Sequence, residues 1–298
     1  MVNSRGMYGS RAVLCLAGAV VGSRALESTT VIRPARGLWD LDLRELWEHR
    51  ELLYFFVWRD VKVRYKQTVL GAAWAIIQPF FTMLAFTLFF GRLGKMPSEG
   101  VPYPVFYFCA LVPWTYFANA MTQATNTMVE NQRVITKVYF PRLALPLSAV
   151  LSALVDLAIS FVVLVGMMIW YRIPPSPAVL LLPVFLALAV AAALGAGLWL
   201  SALNARYRDI RYTVPFLVQF GLFASPVAYP SSIVPASLRW LYGLNPMAGV
   251  IDGFRWALAG TAAPSAVIVI ASALAVILLL LGGLVYFARV EGTIADVV

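Results

Sequence analysis

Along the chain, apolar residues gather into long runs parted by short stretches that hold most of the Lys and Arg. A helix crossing a hydrocarbon layer about 30 Å thick at about 1.5 Å per residue needs about 20 mostly apolar residues, because every backbone polar group must be satisfied within the segment. Six stretches meet that length: Thr68 to Phe90, Val101 to Ala124, Leu143 to Tyr171, Ala178 to Leu203, Tyr212 to Tyr229 and Ser265 to Ala288. The fifth is the shortest and is broken by Pro215 and Pro226, which neighbouring helices can accommodate by re-satisfying the backbone. The pattern predicts an all-α integral membrane protein with six transmembrane helices spread over residues 68–298.

Three segments between the runs carry patterns of their own. Over residues 37–67, apolar positions recur at Leu43, Leu46, Trp47, Tyr54, Val57, Val61 and Tyr65, a helical period with Arg44, Glu45, Glu48, Glu51, Arg59 and Lys62 elsewhere on the wheel. That spacing predicts an amphipathic helix on the membrane surface, with Arg59, Lys62, Arg64 and Lys66 against anionic headgroups and the mixed-sign first half either a plain anchor or a docking surface. The second connection, from Thr125 to Arg142, predicts a short amphipathic helix capped by Asn126 and ended by Pro141, facing either a soluble partner or lipid. The last, from Pro230 to Pro264, is too apolar for a solvated loop; its Gly and Pro punctuation predicts short re-entrant helices between spans five and six.

Composition agrees with the spans. With 61% hydrophobic and 12% charged residues, the chain lies outside the range of soluble globular domains. Its basic residues are scattered between apolar runs instead of forming one face, which excludes a nucleic-acid-binding role. Cys15 and Cys109 are expected to be unpaired thiols. Lys and Arg sort by side: thirteen fall in residues 37–67, the second and fourth connections and the tail, against five in the other connections. Basic loops stay inside, so both termini are expected to be cytoplasmic. The first 36 residues fit less cleanly. Arg5 and Arg11 precede an apolar stretch from Ala12 to Val21, the outline of a signal-peptide core, yet cleavage there would send the basic 37–67 segment outward; the extension is either dispensable or a targeting element.

Enzyme chemistry is sparse. His49 stands without a second histidine or cysteine near it, so no metal site is expected, and the clustered carboxylates that a glycan-modifying enzyme would need are missing from the sequence pattern. The run from Gly91 to Met96 lacks the spacing and the hydroxyl residue of a phosphate-binding loop, so any ATP and Mg would be bound elsewhere. Asp156 is the one acid deep inside a predicted span. Its insertion costs about 2.5 to 3.5 kcal/mol, which the eleven Leu, Ile, Val and Phe between Leu151 and Trp170 offset. Such a carboxylate is either a proton-coupling group or interhelical polar glue, with Ser152 and Ser160 at helical spacing as partners. Aromatic residues recur at helical spacing beside amides: Trp74 and Phe81 with Gln78 on the first span, Tyr103, Tyr107, Trp114 and Phe117 on the second, and Phe216, Phe220 and Phe223 with Gln219 on the fifth. They are either packing and interface anchors or a slide for sugar, whose C–H faces stack on rings.

The run Trp58-Arg-Asp-Val-Lys-Val-Arg-Tyr-Lys-Gln-Thr-Val-Leu-Gly-Ala-Ala-Trp-Ala-Ile-Ile-Gln-Pro79 resembles the entry to the first span of ABC-2 type permeases that export O-antigen, capsule and teichoic acid. Phe140-Pro-Arg-Leu-Ala-Leu-Pro146, Tyr207-Arg-Asp-Ile210, Ser225-Pro-Val-Ala-Tyr-Pro230 and Asn245-Pro-Met247 are similar to later blocks of that family, in order, over roughly residues 38–290. The resemblance implies an inner-membrane homodimer carrying two separate ATPase subunits, which bind ATP and Mg, and moving a lipid-linked glycan. By analogy, Glu130 to Lys137 would form a coupling helix, with Glu130, Arg133 and Lys137 beside Arg59, Asp60 and Arg64 at the ATPase interface. The Leu70-Gly71 turn would lead into the first span, and the aromatic stripes of spans one, two and five would line the path. An ABC-2 permease for a drug or a lipid has the same outline.

Overall fold

The computed structural model of the chain describes residues 43–66, 71–137, 140–207 and 209–297. The extension 1–36 and the connection through Leu70 lie outside the described residues, which form helices, turns and loops without a strand.

Among the described residues eleven α-helices follow in order. α1 (Leu43–Glu48) and α2 (Arg50–Lys66) cover the predicted surface segment. α3 (Gly71–Phe86) runs on into a π-helical stretch, Thr87–Leu93, and matches the first predicted span. α4 (Tyr103–Glu130) is followed by α5 (Gln132–Ile135), then α6 (Ala144–Trp170), α7 (Leu182–Arg206) behind a 3-10 turn at Pro177–Leu181, and α8 (Ile210–Ala224). Two 3-10 turns, α9 (Arg239–Tyr242) and α10 (Ala248–Ala259) occupy the stretch expected to re-enter, and α11 (Ala266–Val297) closes the chain.

Among the described residues four helices are long and apolar enough to cross a membrane: Ala73–Leu93, Ala144–Trp170, Pro177–Arg206 and Ala266–Val290. α4 and α8, which carry the second and fifth predicted spans, fall short for different reasons. α8 has 15 residues. α4 has 28, but Asn119, Gln123, Asn126 and its threonines dilute its hydropathy. That polarity is tolerable because α4 is the central helix, packed against α3, α6, α7, α8 and α10, with most of its side chains buried. Its threonines turn inward on their own helix: Thr115, Thr122 and Thr125 each donate to the carbonyl four residues back.

Around α4, small residues let backbones approach. A Cβ at Gly195 of α7 would lie 2.8 Å from the Leu280 backbone nitrogen, and one at Gly283 of α11 would lie 2.7 Å from the Gly195 carbonyl, so α7 and α11 touch main chain to main chain. Trp199 fixes their register by donating to the Leu279 carbonyl (3.2 Å) and stacking on Tyr286 (centroids 4.7 Å). Pro79, Pro113 and Pro215 stand inside α3, α4 and α8, where each removes one backbone donor.

Two sequence expectations are corrected. Asn126 does not cap a helix: α4 runs unbroken through it to Glu130, because Thr127, Met128 and Ala124 are buried and keep the helix in the core. Asn126 instead offers its carbonyl oxygen to the Asn204 amide (3.4 Å). α2 also divides the cations expected at the headgroups: Lys62 and Lys66 are exposed, whereas Arg59 and Arg64 are half-buried. Tyr54, Phe55, Trp58 and Val63 are exposed, while Arg59, Asp60, Arg64 and Tyr65 face the bundle with Phe56. Arg59 and Arg64 find partners inside the bundle, in Asn131 and Asp156, which hold them off the surface.

Candidate functional site

α2 and α6 run side by side in the same direction. Phe56 meets Phe140 edge to face (centroids 5.4 Å), Asp60 meets Ser148, and Arg64 meets Asp156. Two polar clusters line this seam. In the first, the Arg59 guanidinium grips the Asp60 carboxylate at 2.9 and 3.0 Å and donates to Asn131 Oδ1 at 2.9 Å, while the Ser148 hydroxyl donates to Asp60 at 3.1 Å. Asn131 is the residue between α4 and α5, so the cluster ties α2, α6 and the α4–α5 junction together. Glu130 lies within electrostatic reach of Arg211, Asp60 and Arg59. Arg133 and Lys137 point away, exposed on α5 and the turn after it. α5 is a single turn, shorter than the Glu130–Lys137 helix expected, because Glu130 belongs to α4 and Thr136 and Lys137 form a turn.

In the second cluster, Arg64 pairs with Asp156 and donates to Gln123 of α4, and the Tyr65 hydroxyl donates to the other oxygen of Asp156. Burial first, and then the bond to Asp156, push the Tyr65 phenol well above its usual range, so it remains a donor. Asp156 is therefore not alone in its helix. The serines expected to partner it do other work: Ser152 donates to the Ala149 carbonyl and Ser160 to the Ala75 carbonyl of α3. A small cavity beside this cluster is lined by Trp74, Gln78, Asn119 and Asp156.

The three aromatic stripes part company. On α3, Trp74 (61% exposed), Phe81 and Gln78 lie open, and on α8 so do Phe216, Gln219, Phe220 (64%) and Phe223. On α4, Tyr103 is half-buried and Tyr107, Trp114 and Phe117 are enclosed within the subunit, at 1%, 5% and 8% exposure. The buried stripe backs the open ones. Trp114 presses on Gly221 of α8, where a Cβ would come within 2.7 Å of its ring, and Phe86 of α3 touches both Tyr107 (5.8 Å) and Phe223 (6.4 Å). Rings on α3 and α8 thus flank α4 with their outer faces available for stacking.

At the opposite end of α4, Arg255 of α10 is completely enclosed. It donates to the carbonyls of Phe106 (3.2 Å), Val227 (2.7 Å) and Tyr229 (3.3 Å) and lies 3.8 Å from the Phe106 ring centroid. One guanidinium thereby holds α10, α4 and the 225–230 loop in register. Asn245 extends the same join, donating to Ser225 at 2.9 Å. In the sequence pattern Arg255 is one of the five basic residues of the less basic connections, and Asp252 is one of the few charges in the apolar stretch from Pro230 to Pro264. Their spacing of three inside an otherwise apolar twelve-residue segment was the available signal, since ionisable groups there need a partner or a purpose.

Comparison with known proteins bears directly on this arrangement. Residues 51–259 match the family described as ABC-2 type transporter. The chain is similar to an O-antigen export system permease protein of Myxococcus xanthus, with 31% identity over 72% of this chain and 82% of that protein. It is similar at 28% identity to a Klebsiella pneumoniae protein of the same description, over 69% of this chain and 79% of the relative. A polysialic acid transport protein of Escherichia coli is 22% identical over 65% of this chain and 76% of its own length.

Proposed function

Because the chain belongs to the ABC-2 type transporter family, we propose that it is the permease subunit of an ATP-driven exporter that carries a lipid-linked polysaccharide of the O-antigen kind across the inner membrane. The observation that carries this reading is the similarity to two O-antigen export permeases across about seventy per cent of the chain. In it, α3, α4, α6, α7, α8 and α11 are the six spans, both termini are cytoplasmic, and the chain works as a homodimer with two ATPase subunits that bind ATP and Mg.

The geometry supports a division of labour. Arg133 and Lys137, exposed on the α5 side, meet the ATPase, and Glu130, Arg59 and Asp60 bind that contact to α2, α4 and α6. Arg64 and Asp156 carry the displacement further along α6. Trp74, Gln78, Phe81, Phe216, Gln219, Phe220 and Phe223 give sugar rings a stacking surface with amides at hand, and Tyr103, Tyr107, Trp114 and Phe117 hold that surface in place. Tyr54, Phe55 and Trp58 with Lys62 and Lys66 rest against anionic headgroups, where each cation near the surface contributes about 1 kcal/mol.

The test is reconstitution of the permease with its ATPase. ATP hydrolysis stimulated by lipid-linked glycan is expected, and Arg133→Glu with Lys137→Glu should abolish complex formation without unfolding the permease. Undiminished assembly of the double variant overturns the coupling role; absence of glycan stimulation and of glycan export overturns the cargo.

A further inference from the structure

At the α10 end of the bundle a cavity of about 180 Å³ opens between the α3–α4 connection, the 230–232 loop, α10 and the start of α11. It holds the volume of about six water molecules at roughly 30 Å³ each. Its polar wall is Glu99, Ser231, Ser232, Arg239, Asp252 and Arg255. We propose that this cavity is a binding subsite for one neutral sugar unit, recognised through its hydroxyl groups.

Charge decides against an ion. Two carboxylates and two guanidiniums face the same space, so a cation meets Arg239 and Arg255 and an anion meets Glu99 and Asp252. Among the described residues no group of three or more His, Cys, Asp or Glu is placed to hold a metal. A polyol both donates and accepts, and the wall offers both functions. Ser232 donates to Glu99 (2.8 Å), and its oxygen is free to accept in turn. Asp252 supplies the decisive atom. The residue is 7% exposed and forms part of the wall; Ser231 serves its carboxyl, yet Oδ2 has no hydrogen-bond partner. A buried acceptor without a donor is costly; Oδ2 is enclosed by the wall, and a turn of the carboxyl would present an oxygen to a ligand hydroxyl in the cavity. Arg255 attracts the carboxyl without bonding it: three of its N–H groups go to backbone carbonyls and none reaches Oδ2.

The Asp252 carboxyl itself responds to its setting. α10 is twelve residues long, too short to span a bilayer. Burial pushes Asp252 up to about 6, Ser231 and Arg255 pull it back, and Glu99 adds to the rise. Glu99, Arg239, Arg255 and Tyr242 are the charged and titratable groups around it. It is mostly an acceptor at pH 7.5.

The identity of the polyol as a sugar rests on the permease reading above, whereas the preference for a neutral ligand rests on the cavity alone. The experiment uses the full chain with its ATPase in lipid nanodiscs. Ala262, exposed on the cavity rim, is replaced by Ala262→Cys in a Cys15→Ser background and labelled with an impermeant maleimide. Methyl glucoside and methyl mannoside are expected to slow labelling several-fold, and calcium, magnesium and inorganic phosphate to leave it unchanged. Asp252→Asn should raise the glycoside concentration needed for half of that protection about tenfold, the worth of one charge-assisted hydrogen bond. Glu99→Gln, a conservative change in a loop, guards against an unfolded Asp252→Asn and should weaken protection to a smaller degree. Protection by an ion, or none by any glycoside, overturns the subsite. Glycan export measured in cells separates the two readings: export without glycoside protection removes the subsite alone, while its absence removes the permease reading.

Discussion

Asp156 and Asp252 are both carboxylates among apolar helices, and the protein handles them in opposite ways. Asp156 has a guanidinium and a phenol on its oxygens, brought from α2 some ninety residues away. Asp252 has a serine hydroxyl, an arginine occupied elsewhere, and one oxygen left over. A fully met acid resists change and fastens helices; an acid left short is a place for something else to bind. The difference separates a joint from a receptor without any appeal to position along the chain.

The sharpest way to break this contrast is Asp156→Ala. Taking the carboxylate from Arg64 and Tyr65, with Arg64 left to Gln123, should cost about 1.5 to 3 kcal/mol, the usual loss for hydrogen bonds to a charged group. Unfolding followed in detergent micelles checks it, and Arg64→Met combined with Asp156→Leu should recover most of the loss. A single variant within about 1 kcal/mol of the parent would deny the seam its structural role.

Asp252→Asn should act the other way, raising stability at pH 7.5 by about 1 kcal/mol, since a charge that burial disfavours and its neighbours only partly compensate is removed. The sign over pH follows from the direction of its shift. Asp252 binds its proton more tightly folded (about 6) than at its ordinary 3.8. Its contribution is therefore full at low pH and is lost as pH rises through about 6. The stability difference between parent and variant should grow from about pH 4 to about pH 6 and stay level above that; a flat difference across this range refutes the assignment.

The smallest stability change belongs to the open aromatic face. Phe220→Ala is expected to stay within about 0.5 kcal/mol, as exposed positions do, while slowing glycan export. A variant that destabilises the protein and leaves export intact would make Phe220 a packing residue.

The long helices were legible in the sequence because twenty-odd apolar residues leave few alternatives. The third span, expected from Leu143 to Tyr171, is α6 at Ala144–Trp170. The α4–α5 junction was not, since a helix continues as long as its next turn is buried, and burial of Thr127 and Met128 is a tertiary fact. Nor could periodicity tell which ring faces open space: the stripes on α3, α4 and α8 share one spacing, and only the central placement of α4 hides Tyr107 and Trp114. The partners of Asp156 were out of reach for the same reason. Local spacing proposes Ser152 and Ser160, whereas folding delivers Arg64.

The glycine contact between α7 and α11 has its own consequence. Two main chains touching at Gly195 and Gly283 cannot shear without steric collision, so that flank behaves as a single rigid slab. The other flank is built differently: α3 and α8 rest on aromatic side chains of α4 instead of on main chain, which leaves that flank the freer of the two to widen around a chain of sugars.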